Sequence, residues 1–203
     1  APHRVIGNVS YRIKNHNGTT NFGLFYEGFN IGFLSSYSYS RLSYVMNNVS
    51  GTNANQLIYI PTDADLENMN FISDENKAAY KLFIETDKYL STHRGQYEQR
   101  NAIVAPWLNR INFHIGREFE FNIGGKKNSL EISADVKNIG NLLNSAWGTY
   151  KILSSNVILN YSNVLDEDGN VTGHVYKFTE PKWNDYGNTR STWSAALSLR
   201  YKF

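Results

Sequence analysis

The strongest pattern in this chain is a strict alternation of apolar and polar residues over its last eleven positions. The apolar positions recur at every second residue: Phe203, Tyr201, Leu199, Leu197, Ala195 and Trp193. A period of two predicts a β-strand with one apolar face. Aromatic residues at both ends of that face, with an aromatic residue at the last position, are typical of a strand that crosses a membrane.

Four other segments alternate in the same way. They cover residues 4–14, 20–28, 111–123 and 130–136. Polar or glycine-rich turns at Asn15–Thr19 and Gly124–Asn128 predict that these segments form two antiparallel hairpins. The chain therefore contains about five long strands of the membrane type.

Two residues interrupt the alternation. The apolar phase shifts after Gly28, which predicts a bulge or a bend there. Arg117 falls in the apolar phase, where a cation at the midplane of a bilayer would cost roughly 2–4 kcal/mol. We therefore expect Arg117 near a membrane boundary, or at a local bulge at Gly116.

Two long connections separate the hairpins and the last strand. The first covers residues 41–110, and its one helix candidate begins after Ser73 as N-cap and runs over 74–86. The apolar side of that helix carries Ala79, Tyr80, Phe83 and Ile84. The second covers residues 145–192 and includes an extra hairpin, with Asp166–Asn170 as its turn. Loops of such length are usually functional, so ligand contacts are expected in the first of them.

Composition narrows the classes of protein. Aromatic residues are 14% of the chain and only 4 residues are proline, which favours β structure. No run approaches the roughly 20 apolar residues of a transmembrane helix. The absence of cysteine excludes disulfides and thiolate chemistry, and a net charge of +2 without a basic stripe argues against a nucleic-acid partner.

The sequence offers no residue on which to base an enzymatic activity, a cofactor or a metal site. The five histidines have no paired spacing, and phosphate-binding glycine loops and hydrolase motifs are missing. The segment Asp166–Asn170 resembles the start of a calcium loop, but its glycine is at the fourth position, so a hairpin turn is favoured.

Two groups of side chains are candidates for a binding role. Tyr37, Tyr39 and Tyr44 could stack on a ligand, although aromatic residues, including Trp107, Trp147 and Trp193, also form the interfacial girdles of membrane barrels. The second group is Arg94, Glu98 and Arg100, which would form either a buried polar network that holds the long loop or only a solvated charge cluster.

Several segments, in their order along the chain, resemble the C-terminal part of Bacteroidetes-type TonB-dependent outer-membrane receptors related to the Oar-like receptors. The segments are Pro2-His3-Arg4, Phe25-Tyr-Glu-Gly28, Leu57-Ile-Tyr-Ile-Pro-Thr62, Arg94-Gly-Gln-Tyr-Glu-Gln-Arg-Asn101, Asn138-Ile-Gly-Asn-Leu-Leu-Asn-Ser-Ala-Trp-Gly148 and Leu199-Arg-Tyr-Lys-Phe203. The end of the chain also resembles the signal that the barrel-assembly machinery reads, carried here by Phe203, Tyr201, Leu199 and Leu197.

The resemblance implies an all-β fold: an antiparallel transmembrane β-barrel segment, with one short helix in a long loop. Residues 1–203 would be the C-terminal part of one barrel domain of about 22 strands, whose plug domain lies outside this chain. Residues 41–110 would be an extracellular or lumenal loop, and 145–192 a second one. The implied protein is a porin-like transporter in the bacterial outer membrane that takes up a nutrient.

The partners implied by the resemblance are outer-membrane lipid, the barrel-assembly machinery, TonB through a missing N-terminal region and, as an option, a surface lipoprotein. Two other readings stay open: a soluble β-sandwich binding module, and a small complete outer-membrane barrel with a structural or adhesion role. A barrel exposes the apolar faces of its strands in a continuous belt, whereas a sandwich buries them against a second sheet.

Overall fold

The computed structural model describes residues 3–48, 56–187 and 189–203 and is mostly β-structure. Pro2, which begins one of the segments that carry the resemblance, lies outside the described residues. The chain divides into two compact units. Unit 1 consists of Ala1–Ile31, Pro106–Lys151 and Asp185–Phe203, and unit 2 consists of Gly32–Ala105 and Ile152–Asn184.

The described strands, in chain order, are β1 (Arg4–Asn15), β2 (Gly18–Asn30), β3 (Gly32–Leu34), β4 (Tyr37–Tyr39), β5 (Arg41–Leu42), β6 (Val45–Asn48), β7 (Gln56–Leu57), β8 (Tyr59–Ile60), β9 (Asn70–Phe71), β10 (Gln96–Tyr97), β11 (Ile103–Val104), β12 (Trp107–Ile123), β13 (Lys126–Lys137), β14 (Lys151–Leu153), β15 (Val157–Leu165), β16 (Val171–Phe178), β17 (Trp183–Asp185) and β18 (Ser194–Lys202). The described helices are α1 (Asp63–Asn68), α2 (Asp74–Thr86) and α3 (Ile139–Leu143), with a 3-10 turn at Leu90–Thr92.

Unit 1 is built on a sheet of five long antiparallel strands in the order β1-β2-β12-β13-β18. These are the five strands that the alternation predicts, and the prediction is confirmed. The β1–β2 turn, the β12–β13 turn and the end of β18 lie at one end of the sheet. The long connections leave from the opposite end, where Ile31 N–H donates to the carbonyl oxygen of Pro106 at 3.2 Å. We call these the turn end and the connection end.

Neither glycine that was predicted to mark a bulge does so. Gly28 pairs with Val5 on one side and Asn109 on the other, and the register runs through it without a shift. The register through Gly116 is continuous as well. Gly28 instead leaves room for aromatic side chains, since a Cβ at that position would lie 2.7 Å from the Trp107 ring. Phe29, the first apolar residue of the shifted phase, is still within β2, opposite Arg4 and Leu108, and the chain passes into β3 after Asn30.

Replacing Gly18 by alanine is expected to destabilise unit 1 by roughly 3 kcal/mol or more. Gly18 has φ +136°, and a Cβ would lie 1.8 Å from the backbone oxygen of Glu118, so the β1–β2 hairpin would have to separate from β12. Thermal unfolding followed by circular dichroism measures the effect. Gly7→Ala in the same hairpin is the control, because a Cβ there would be 3.9 Å from its nearest neighbour. Equal stability of the two variants would contradict the prediction.

Unit 2 has its own hydrophobic core. The core is formed by Leu42, Tyr44, Ile58, Ile60, Leu66, Tyr80, Ile84, Leu90, Ile103, Leu153, Ile158, Leu159 and Phe178. Its largest sheet has the order β7-β6-β15-β16-β9, and both the β6–β15 and the β9–β16 pairs are parallel. Burial of so many aliphatic and aromatic side chains is the main stabilising term of this unit.

The long connections contain more secondary structure than the sequence predicts. Helix α2 begins and ends as predicted, and the Ser73 hydroxyl accepts the Asn76 N–H at 3.2 Å. Of its predicted apolar side, Tyr80 and Ile84 are buried, whereas Ala79 is exposed. The prediction of one helix in the chain is wrong, because α1 and α3 are also present. Both are shorter than two turns, too short for a helical period to be recognised in sequence.

Over the described parts of the chain, no helix combines the length and the apolar character that crossing a membrane would require.

Candidate functional site

The apolar face of the long sheet in unit 1 is the most unusual surface of the protein. Pairing places its side chains in continuous rows across all five strands, for example Tyr11, Phe22, Ile115, Ala134 and Leu197. Across the whole apolar face most side chains are exposed, with Leu197 at 84% and Leu199 at 71%. Soluble monomers rarely expose apolar patches larger than a few hundred Å². An apolar face of this extent requires a partner or a lipid environment.

Aromatic residues border the face at both ends. At the connection end, the Tyr26 hydroxyl and the Trp107 Nε1–H both donate to Asn109 Oδ1, at 2.8 and 2.9 Å. At the turn end, Tyr201 stacks between Phe121 and Phe203, with ring centroids 6.4 and 6.0 Å away. Such pairs of amphipathic aromatic borders are characteristic of the two interfaces of a membrane.

The separation of the borders can be estimated from the last strand. Trp193 and Phe203 are ten residues apart and are joined through β18. At about 3.3 Å per residue this is roughly 33 Å along the strand, or about 25 Å of membrane depth for a strand tilted by ~40°. That depth equals the height of the apolar band of outer-membrane barrels, about 25 Å.

Arg117 is a cation within the apolar rows. It lies between Thr20 and Ile132, one row inside the β1–β2 turn. Its guanidinium donates to Thr20 Oγ1 at 2.9 Å and to Asn15 Oδ1 at 3.0 Å, and lies 5.2 Å from the centre of the Phe119 ring. The side chain thus extends toward the polar turn end, as a long basic side chain does when it reaches for an interface.

The opposite face of the sheet is polar and carries charged and polar side chains that pair across the strands. Arg4 is paired with Glu27, His114 Nδ1 lies 2.8 Å from Asp135 Oδ1, and Lys202 Nζ lies 3.0 Å from Glu118 Oε1. The sheet therefore has one apolar face and one polar face. The outside and the lumen of membrane barrels differ in the same way.

Both edges of the sheet are open among the described residues. β1 pairs only with β2, and β18 only with β13. Each outer edge presents a row of backbone N–H and C=O groups that other strands could pair with.

Two buried asparagines, Asn138 and Asn141, hold the conformation of the segment Asn138–Gly148. The Asn138 side-chain amide donates to the carbonyls of Gly148 and Ser191 at 3.1 and 3.2 Å. The Asn141 amide donates to the carbonyls of Ser145 and Trp147, and its Oδ1 accepts the Trp193 N–H at 3.2 Å. These bonds position the chain where it enters β18, so the segment has a structural role.

Replacing Asn138 by alanine is expected to destabilise unit 1 by about 1–3 kcal/mol, because the buried Ser191 carbonyl and the part-buried Gly148 carbonyl would lose a donor. The free energy of unfolding from urea titrations measures the loss. Asn144→Ala is the matched control, since Asn144 is exposed and its side chain accepts, among the described residues, only the nearby Ala146 N–H. A loss for Asn144→Ala as large as that for Asn138→Ala would contradict the structural role.

The three predicted network residues lie in unit 2, but no hydrogen bond or ion pair between the described residues joins them to one another. Arg94 donates to the Pro61 carbonyl at 3.0 Å and to Asp63 Oδ1 at 2.9 Å. Arg100 is exposed. Glu98 is 2% exposed and buried in unit 2. Arg94 and Glu98 thus hold the long connection through separate contacts.

Glu98 is a buried acid whose pKa is raised by its surroundings. Both of its carboxylate oxygens accept the backbone N–H of Tyr44, at 3.0 and 3.1 Å. Burial, with a smaller contribution from the nearby Asp87 carboxylate, raises the pKa of Glu98 to about 8, although the Tyr44 N–H opposes the shift. The Tyr80 hydroxyl is also buried and has no hydrogen-bond partner among the described residues. Of the two interpretations left open for Glu98, a buried group or a member of a solvated charge cluster, its burial agrees with the first.

The three tyrosines predicted to face a ligand have different environments. Tyr37 and Tyr39 lie on β4 and are exposed. The prediction for Tyr44 is wrong: its ring is 4% exposed and packs edge-on against Phe83, with ring centroids 5.5 Å apart. It belongs to the core because β5 and β6 on either side of it pair inside unit 2.

The Asp166–Asn170 segment is the hairpin turn that the sequence favours. Asp166 Oδ1 accepts the N–H groups of Asp168 and Asn170 at 3.0 and 2.7 Å, so this carboxylate is used by the turn itself. Within the described ranges, no three His, Asp or Glu side chains are grouped closely enough to hold a metal ion.

Comparison with protein-family models, with curated proteins and with solved structures finds no significant match to this chain.

Proposed function

We propose that this chain supplies strands of a bacterial outer-membrane β-barrel, in a transporter of the TonB-dependent receptor type that takes up a nutrient. The observation that carries the proposal is the exposed apolar face of the long sheet, bordered by aromatic residues at both ends. In a bilayer this face contacts lipid, and its exposure is then a requirement of the fold.

The open edges support the same proposal. Unpaired backbone groups are too costly in lipid, so membrane sheets close on themselves, and bacterial barrels begin at about eight strands. The described sheet has five strands. The proposal therefore includes further strands that pair with β1 and β18, supplied by a longer polypeptide or by another chain.

The position of the connections agrees with a barrel in the outer membrane. Short turns at one end and long connections at the other match the usual asymmetry between the periplasmic and the extracellular side. On this assignment the turn end is periplasmic, and unit 2 is built from the extracellular connections.

The transport role rests on the segments that resemble TonB-dependent receptors. In such a receptor the energy for uptake comes from the inner membrane through TonB, and the barrel-assembly machinery would recognise Phe203 and the alternate residues before it. Lipid, this machinery, TonB and a surface lipoprotein are accordingly the proposed partners.

The test is the mass and the location of the natural polypeptide, detected with an antibody to residues 74–86. We expect a band several times heavier than 23.2 kDa, and we expect it in outer-membrane fractions. A band of 23 kDa in the soluble fraction would exclude the transporter and would favour the soluble binding module instead. A 23 kDa band in the outer membrane would favour a small barrel completed by other copies.

A further inference from the structure

Unit 2 contains a cleft whose lining is rich in tyrosine and methionine. Its volume is about 330 Å³. The lining residues are Met46, Tyr59, Asp65, Asn68, Met69, Tyr97, Leu159 and Tyr176. Ligand sites are typically concave and apolar with a few placed polar groups, and a cleft of this size accommodates a small molecule.

The aromatic walls of the cleft are fixed by the backbone. Tyr59 on β8 and Tyr97 on β10 are direct cross-strand partners, and their rings meet edge to face with centroids 5.4 Å apart. Tyr97 is 61% exposed, so much of its large aromatic ring is not covered by the protein. Tyr176 on β16 is partly buried, and its hydroxyl has no hydrogen bond among the described residues.

Asp65 is the charged residue of the lining. Its Oδ2 accepts three hydrogen bonds, from the Thr62 N–H at 2.9 Å, the Thr62 hydroxyl at 2.7 Å and the Tyr59 hydroxyl at 3.1 Å. The Thr62 bonds hold the pKa of Asp65 below its usual range, so the carboxylate is ionised. Oδ1 accepts no hydrogen bond from the described residues, and the lining contains no lysine or arginine. The cleft thus has one uncompensated negative charge.

We propose that this cleft binds an organic ammonium compound, with the cation against the tyrosine rings and beside the Asp65 carboxylate. The faces of aromatic rings attract cations, and rings grouped around a cation are the usual way to recognise alkylated ammonium groups. The Met46 and Met69 thioethers are polarizable and adapt to the alkyl part of such a ligand. The site does not depend on the transport role, because every lining residue belongs to unit 2.

The experiment is a calorimetric titration of the natural protein with choline and with 3,3-dimethylbutan-1-ol, which has the same shape without the charge. We expect choline to bind at least about ten-fold more tightly than the neutral alcohol. Equal affinity for choline and the neutral alcohol would overturn the proposal. The absence of choline binding at millimolar concentrations would overturn it as well.

Two variants locate the binding. Tyr97→Leu and Asp65→Asn are each expected to weaken choline binding by roughly five- to thirty-fold. Leu82→Ala removes a side chain of unit 2 with nearly the same exposure, 60% against 61% for Tyr97, that does not line the cleft, and is expected to leave the affinity unchanged. If Asp65→Asn does not fold, Tyr97→Leu alone decides, because Tyr97 is exposed and forms no side-chain hydrogen bond among the described residues. Unchanged binding in Tyr97→Leu would overturn the proposal.

Glycerophosphocholine distinguishes two sources of the ligand. Tighter binding of choline indicates a free ammonium compound, whereas tighter binding of glycerophosphocholine indicates a lipid headgroup; both results support the ammonium site. Binding of neither compound overturns it.

Discussion

Replacing Leu197 by arginine is expected to prevent most of the protein from assembling in the membrane. Leu197 lies in the middle of β18 and is 84% exposed on the apolar face. An arginine near the midplane of a bilayer costs roughly 2–4 kcal/mol, which corresponds to a loss of about 30- to 1,000-fold in the folding equilibrium. The fraction of folded protein in outer membranes, measured by the heat-dependent mobility of folded barrels in electrophoresis, reports the effect.

Ser198→Arg is the matched control for Leu197→Arg. Ser198 is the next residue of the same strand and lies on the polar face, opposite Ser133. On a water-filled lumen an arginine there costs little, so we expect nearly normal assembly. If both variants assemble equally well, the apolar face does not contact lipid. If both fail equally, the effect belongs to the strand and not to its face.

The second large effect concerns Glu98 and pH. The pKa of Glu98 is about 8 in the folded protein against an ordinary value of 4.5, so the folded state holds a proton that the unfolded state releases. This contribution to stability is fully present below about pH 4.5 and is lost as the pH rises toward 8, at about 1.4 kcal/mol per pH unit. The total is at most on the order of 5 kcal/mol. Urea denaturation between pH 5 and pH 9, followed by near-ultraviolet circular dichroism, measures it.

Glu98→Gln is expected to remove most of this pH dependence, because glutamine resembles the protonated acid and keeps an oxygen for the Tyr44 N–H. Glu85→Gln on α2 is the control, since Glu85 is exposed and its one ion pair within the described part of the chain is with Lys81 at 3.9 Å. We expect the wild-type slope in the control. A wild-type slope in Glu98→Gln would contradict the assignment of the pH dependence to Glu98.

The long strands and helix α2 could be predicted from the sequence. A strand that has lipid or a core on one face and water on the other must alternate, so twelve or more residues such as those of β1 or β12 carry a readable period. Helix α2 has 13 residues, an N-cap serine and two acids in its first turn, which together define its start.

Unit 2 could not be predicted in the same way. Strands β7 to β11 have two residues each, which is too short for any period to be recognised. The β6–β15 pair joins residues more than a hundred positions apart, and local sequence carries no information about such a partner. For the same reason the burial of Tyr44 was not predicted, and the sequence left open whether Glu98 is buried or solvated. The cleft around Asp65 combines five separate segments and has no local signature.

Contact between lipid and the apolar face of the long sheet is the basis of the proposed function. The chain contains no cysteine, so single cysteines at positions 197 to 200 of β18 can each be labelled with an environment-sensitive fluorophore in outer-membrane vesicles of the natural protein. We expect a nitroxide lipid to quench the labels on cysteines that replace Leu197 and Leu199. Aqueous iodide is expected to quench the labels on cysteines that replace Ser198 and Arg200. Iodide quenching of equal strength at all four positions would contradict it.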